Sequence, residues 1–282
     1  MVSTLGARPG ELTRLLDSIK DDRPDGVELI VVDQSRRGDA HRLVRTHPLS
    51  SDLPPVCITS GRGISTGKNA GLGVATGVLI TFPDDDAWYP PGGLTAILKR
   101  METNRGLDAL TGITRGSDGR VSLGGHIRRA GPLRRHSVFR QGVEATMVAR
   151  TDALREIDGF SVEVGVGAPT PWGAAEGPDL LLRMLAGGAN IRFDPSLFVY
   201  HESSNLAEDA MVSRARNYSR GAGYVVAKNR VLSLHLYRFV VRPAVGVATA
   251  RVLGQRDQAR RRTAKLGGHL RGMIDGFRAR NG

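Results

Sequence analysis

The chain has 282 residues, of which 40% are hydrophobic and 5% aromatic, and a formal net charge of +12. That length suits one large α/β domain, or a domain of about 200 residues with an appendage. No run of about 18 uncharged apolar residues is present, so no transmembrane helix is expected; the start lacks the basic and apolar regions of a signal peptide, and a single cysteine, Cys57, excludes a disulfide framework and fits a reducing compartment.

The charge is unevenly placed. Residues 1–210 carry 24 Lys/Arg against 26 Asp/Glu, a net of −2, whereas residues 211–282 carry 16 against 2, a net of +14. A nearly neutral domain followed by a strongly basic quarter points to a polyanionic partner: a membrane surface, nucleic acid or an anionic substrate.

In chain order, residues 1–5 read as a short strand that opens without the usual lead-in, so a start codon a few residues upstream is expected. Residues 10–20 read as a helix with Leu12, Leu15, Leu16 and Ile19 on one face. The run 27–32 is a strand buried on both faces, ending in Asp33. Residues 55–59 form a third strand, and 61–77 a Gly-rich turn followed by a helix starting near Thr66, with Ser65 or Thr66 as N-cap. The fourth strand, 78–82, runs straight into Asp84, Asp85 and Asp86, and a helix follows over 91–101. Three adjacent carboxylates repel one another unless a cation sits among them, which points to a hard divalent metal; an acidic helix cap is the plain alternative.

Strands alternating with helices at this spacing predict βαβ units and a mostly parallel sheet, in which ligands bind beyond the carboxyl ends of the strands. Thr4, Asp33, 61–68 and the three aspartates all fall at such ends. No GxGxxG follows the first strand, which disfavours a dinucleotide-binding enzyme.

Further on, 108–114 reads as a strand and 116–125 as a hairpin. The segment 126–140 carries His126, Arg128, Arg129, Arg134, Arg135, His136 and Arg140, either contacting phosphate or forming an exposed basic loop. Residues 143–148 are strand-like, 150–157 helical, and 162–177 a long loop with Trp172 of the kind that serves as a flap. A helix over 178–185 has Glu176 and Asp179 at its start. Short strands at 190–193 and 197–200 follow, the second delivering His201. From Asn205 the chain turns helical and basic over 213–229, 231–253 and 255–280, as an amphipathic surface resting on an anionic membrane would, or a helix packed across the domain with its arginines in water.

The segments ISTGKNAGLGVATGVLITFPDDDAWYPP, EATMVARTDALREIDGF and WGAAEGPDLLLRMLAGGANIRFDPSLFVYHE, in this order and spacing, resemble the inverting family-2 glycosyltransferases of GT-A fold, over residues 1 to roughly 202. The resemblance implies an α/β, Rossmann-like catalytic domain over 1–204, with a nucleotide-sugar part to about 115 and an acceptor part to 204, followed by a basic α-helical C-terminal extension over 205–282. It implies nucleotide-sugar contacts at Thr4, Asp33, Lys68, Asn69, Asp84 and Asp85. Asp33 would meet the nucleobase or serve as a cap, Asp84 would meet the ribose, and Lys68 stands where the family has arginine. It places a metal, Mn²⁺ or Mg²⁺, on Asp86 and His201, with Ala87 standing where a fourth aspartate is usual. Imidazole beside carboxylate leans toward Mn²⁺. It places the base at Glu176 or Asp179, because Gly177 stands at the family's aspartate, and acceptor stacking at Trp172, for which core packing is the alternative.

The expected reaction is transfer from a nucleotide-diphosphate sugar to a saccharide or lipid-linked hydroxyl, in polysaccharide or glycoconjugate synthesis. The expected location is cytoplasmic, with peripheral attachment to the inner membrane face through 211–282. A sugar-nucleotide nucleotidyltransferase fits less well, since 6–10 lacks the needed Gly-rich basic loop. A non-catalytic basic binding protein with a degenerate GT-A domain is the other rival. Nucleic acid is not expected as a partner, because the tail has few aromatics for stacking and no recognition motif.

Overall fold

The computed structural model describes residues 1–123, 129–202 and 207–281. The expected site residues all fall within these spans. His126, Arg128, part of the expected 116–125 hairpin and the 204/205 boundary lie outside the described residues.

The first part alternates strand and helix: β1 (Val2–Thr4), α1 (Pro9–Asp21), β2 (Ile30–Asp33), α2 (Asp39–Thr46), α3 (Leu49–Asp52), β3 (Val56–Thr59), α4 (Ile64–Val74) and β4 (Leu79–Thr81). Helices α2 and α3 fill 39–52, where no element was expected. β1, β2 and β3 pair in parallel, so that Thr4, Asp33 and Thr59 lie in register along one edge. Met1 N donates to Thr81 O at 3.1 Å and joins this sheet to the next.

The chain continues through β5 (Ala87–Trp88), α5 (Gly93–Thr103), β6 (Ala109–Arg115), β7 (Val121–Leu123), β8 (Gly131–Pro132), α6 (Val138–Gln141), β9 (Val143–Arg150), α7 (Thr151–Arg155), α8 (Glu176–Ala186) and β10 (Ile191–His201). The second sheet has the order β4-β9-β6-β10-β5, with β7 on β6 and β8 on β10. Only β6 and β10 are parallel; the other pairs are antiparallel. The α/β class therefore holds with a mixed second half. A parallel neighbour needs a crossover such as α7–α8, whereas the described residues between β6 and β9 hold β7, β8 and the short α6. The two strands expected over 190–200 are one strand, irregular at Phe193–Phe198 where Pro195 cannot donate to the ladder. On α4, Ser65 Oγ donates to Val164 O at 2.6 Å instead of capping the helix, and the N-cap position falls on Gly63.

The extension forms α9 (Glu208–Lys228), α10 (Leu232–Leu236), a π-helical turn (Tyr237–Val241), α11 (Arg242–Val252) and α12 (Arg256–Asn281). Tyr224, Val225, Val226 and Ala227 of α9 share one buried cluster with Leu180, Leu181 and Leu182 of α8, so the extension completes the core of the preceding fold. Each such side chain removed from water contributes roughly 1.5–3 kcal/mol. No helix among the described residues is long and apolar enough to cross a membrane.

Helices α9 and α12 lie side by side in the same direction, near enough that backbone meets backbone. A Cβ placed at Gly272 would sit 2.0 Å from Arg220 O, whereas one at Gly267 would meet nothing within 4 Å. Gly272→Ala should therefore cost about 1–3 kcal/mol in urea unfolding, through forced separation of the helices. Gly267→Ala should be neutral or stabilise by up to about 1 kcal/mol. Equal effects of the two substitutions would contradict the close approach.

Candidate active site

The carboxyl ends of β1 and β4 meet the end of β10. Behind β4, Pro83 ends the strand and Ala87 N donates to Asp84 O at 3.0 Å, which closes a turn over the three aspartates. The chain then re-enters as β5, whose Ala87 pairs in register with His201 of β10. That pairing sets His201 Nε2 3.3 Å from Asp86 Oδ1. Ala87 is fully buried in the core, so its methyl points away from the aspartates, and a carboxylate there would be desolvated.

One ligand atom each from Asp84, Asp86 and His201 lies within 4.8 Å of the others. Two carboxylates and an imidazole at that spacing suit a divalent cation such as Mn²⁺ or Mg²⁺. Asp84, expected at the ribose, lies with Asp86 and His201 in the group that could hold such a cation. Asp85 is held apart from them. Thr4 Oγ1 donates to its Oδ2, and Arg8 donates to its Oδ1 at 2.5 Å while also pairing with Asp86.

The electrostatics follow from this crowding. Burial pushes the Asp85 carboxyl up, with Asp84 and Asp86 adding to the rise against Thr4 and Arg8. Burial pushes Asp86 the same way, but its bond to His201 and the charges of His201 and Arg8 bring it below its ordinary value. His201 is raised, chiefly by that same bond, although burial opposes it. Arg8 was not among the expected site residues; its signal was a lone cation in the turn after β1.

A second group lies behind this cluster. Lys68 of α4 is only 3% exposed and donates to Glu144 of β9. Burial disfavours the ammonium, yet Glu144, Asp84 and Glu176 together hold it above its ordinary value. Burial also raises the carboxyl of Glu176 at the start of α8, with Lys68 opposing and Asp84 adding to the rise. Ala175, just before it, has φ 76°, a left-handed conformation costing a non-glycine residue about 1–2 kcal/mol, and this bend aims Glu176 toward Lys68.

Other expected site residues are engaged elsewhere. Asp179 is fully buried, with Oδ2 held by Arg183 Nε and Oδ1 by Asn229 Nδ2, both at 2.9 Å. Trp172 stacks on Tyr224 of α9, centroids 3.5 Å apart, and donates through Nε1 to Asp275 of α12 at 3.2 Å. Asn69 both donates to and accepts from the Phe160 backbone at 2.8 Å. Asp33 accepts Ser35 N at 2.7 Å and His41 N at 3.0 Å, which shapes the turn into α2. Of the described arginines in the expected basic segment, Arg135 donates to Asn229 O at 2.7 Å and so ties that segment to the extension.

The model of the glycosyl transferase family 2 matches residues 2–158. A pre-mycofactocin glycosyltransferase of Mycobacterium tuberculosis is 24% identical over 218 residues, covering 72% of this chain. The chain spans only 42% of the length of that relative's sequence. Among solved structures, the mannosyltransferase PcManGT of Pyrobaculum calidifontis, in complex with GDP-Man and Mn²⁺, superposes with a TM-score of 0.69 at 18% identity, over 97% of this chain and 86% of that one. S. aureus TarS 1-349 in complex with UDP-GlcNAc superposes with a TM-score of 0.56 at 16% identity, over 97% and 89%.

Proposed function

The chain belongs to glycosyl transferase family 2, and on that premise we propose that it moves a sugar, with inversion, from a nucleotide-diphosphate sugar to a hydroxyl of a saccharide or lipid-linked acceptor. The observation that carries this reading is the convergence of Asp84, Asp86 and His201 at the strand ends beside the Lys68–Glu176 group. The donor complexes of PcManGT and TarS support the donor class.

The nucleotide would lie along the ends of β1, β2 and β4, beside Thr4 and Asp85 and over the turn that Asp33 holds through Ser35 N and His41 N. Asp84, Asp86 and His201 would hold the cation, Mn²⁺ in preference to Mg²⁺ given the imidazole. Bound there, it would supply positive charge against the diphosphate. Glu176 would take the proton of the acceptor hydroxyl, whose oxygen forms the new bond to the anomeric carbon. The bond from that carbon to the diphosphate oxygen breaks on the opposite face, and its electron pair leaves with the diphosphate. Asp179, with both oxygens engaged, is left as the brace that fixes α8 to α9. Trp172, half-buried and stacked on Tyr224, would border the acceptor. Lys68 and Asn69 act on Glu144 and Phe160 rather than on the donor.

Thermal shift against UDP-, GDP- and dTDP-sugars, with and without Mn²⁺, tests the site. One nucleotide class should raise Tm only when the metal is present, by the amount that ligand excess over Kd dictates. Asp86→Ala should abolish that dependence. No shift with any donor, or a shift that ignores the metal, would count against the assignment.

For the extension, the reading is contact with an anionic membrane surface, from the cytoplasmic side. Leu234, Tyr237, Val241, Val245 and Val252 are exposed at three-, four- and seven-residue spacing along 234–252, the pattern of one helical face. Nearby, Arg216, Arg251, Arg256, Arg260 and Arg271 line a cleft of about 790 Å³. Apolar side chains beside arginines, of which Arg260 pairs with Asp209 at 2.9 Å, fit an anionic leaflet. Co-sedimentation with vesicles of phosphatidylglycerol should exceed that with phosphatidylcholine and fall in a Tyr237→Ser/Val245→Asn/Val252→Asn variant. Equal binding to both vesicle types, binding unaffected by the variant, or a concentration-dependent dimer in place of vesicle binding would overturn it.

A further inference from the structure

Strand β9 is buried over most of its length, and its second residue is Glu144, a half-buried carboxylate ahead of that buried stretch. Its side chain does not turn back to water. It lies over the start of α8, where a Cβ built at Gly177 would come within 2.7 Å of Glu144 Cβ and 2.8 Å of its Oε2. The space above Gly177, where the family resemblance places a carboxylate-bearing side chain, is thus filled by a carboxylate from another strand. Glu144 is held there by Lys68, and the two differ in access. The Lys68 side chain is 4% exposed and that of Glu144 is 11% exposed, so the carboxylate is the more accessible of the two.

We propose that Glu144, seated over Gly177 and anchored by Lys68, shares with Glu176 the task of accepting the acceptor hydroxyl's proton. This inference rests on the transferase reading above and adds a residue to it. The proton passes from the acceptor oxygen to a Glu144 oxygen. The acceptor oxygen bonds to the anomeric carbon as the bond to the diphosphate breaks, and the diphosphate carries off the electron pair. Lys68 stays protonated throughout as the positioning residue.

The charged groups facing Glu144 are Lys68 on α4, Glu176 on α8 and Asp84 after β4. Glu144 pairs with the one ammonium while Glu176 and Asp84 act on the group through space, so negative charge exceeds positive in a site mostly closed to water and the carboxyls hold a proton to higher pH than isolated ones do. Burial, with Glu176 adding and Lys68 opposing, pushes the Glu144 carboxyl up to about 7. A base is most effective when it releases its proton near the working pH.

The test is steady-state kinetics across pH 5.5–9 on the full chain, with the donor found by thermal shift. Glu144→Gln keeps a hydrogen-bonding partner for Lys68 and removes the basic oxygen. It should lower kcat about 10²–10⁴-fold, leave donor KM and the metal-dependent Tm rise unchanged, and shift the acid limb of the kcat profile to the one that Glu176 alone sets. A variant within threefold of wild type that keeps the same profile overturns the proposal, as does one that loses only stability. Glu144→Gly/Gly177→Asp moves the carboxylate across the gap. It should recover at least tenfold over Glu144→Gly, and a folded double variant no faster than the single one overturns the proposal. Wild-type protein that transfers sugar from no donor overturns the transferase reading and this inference with it.

Discussion

The short antiparallel pairing of β5 with β10 is the constraint on which the site depends. It consists of two residue pairs, Tyr200 with Trp88 and His201 with Ala87. The aspartates leave β4 in a turn, and a turn alone does not fix where their carboxylates point. Because Ala87 is locked to His201 and buried in the core, the residue before it, Asp86, is brought against the imidazole. Stacking of Trp88 on Tyr200, with ring centroids 5.2 Å apart, and Arg14 over the Trp88 face reinforce the pairing from its outer side. The fourth position of the acidic run is therefore used for strand register rather than for ligation.

The extension has a structural part in the same site. Tyr224 stacks on Trp172 and bonds to Glu163 at 3.0 Å, Asp275 receives the Trp172 indole and Arg220, and Asn229 holds Asp179. Both ends of the long loop before α8, and α8 itself, are thus fastened by helices that follow the family-matched residues in sequence. The left-handed Ala175 sits at the point where this fastening meets the start of α8. Strain of that kind persists only where surrounding contacts over-determine the backbone. Here they aim Glu176 at Lys68.

The strand–helix alternation, the acidic run and His201 were legible because apolar runs cut off by Pro, Gly or Asp are local signals. The partners of the remaining side chains were not, since they come from far along the chain. Asn69 meets Phe160 across 91 residues, Trp172 meets Asp275 across 103, and Asp179 meets Asn229 across 50. No local pattern tells a carboxylate at a helix start that braces a neighbouring helix, as Asp179 does, from one set near a buried lysine, as Glu176 is. Asp179 and Glu176 looked alike for that reason. Glu144 did leave a signal, a charge just ahead of a buried stretch of strand, but its meaning required seeing that Gly177 leaves room for it.

The central claim is that Asp84, Asp86 and His201 form one cation site through strand register. Pulsed EPR on the chain loaded with Mn²⁺ and a nucleoside diphosphate tests it most directly, because nitrogen coupling to the metal reports a bound imidazole. Coupling from a single imidazole nitrogen should be seen and should disappear in His201→Gln. Bound Mn²⁺ without nitrogen coupling, or coupling that survives His201→Gln, would contradict it.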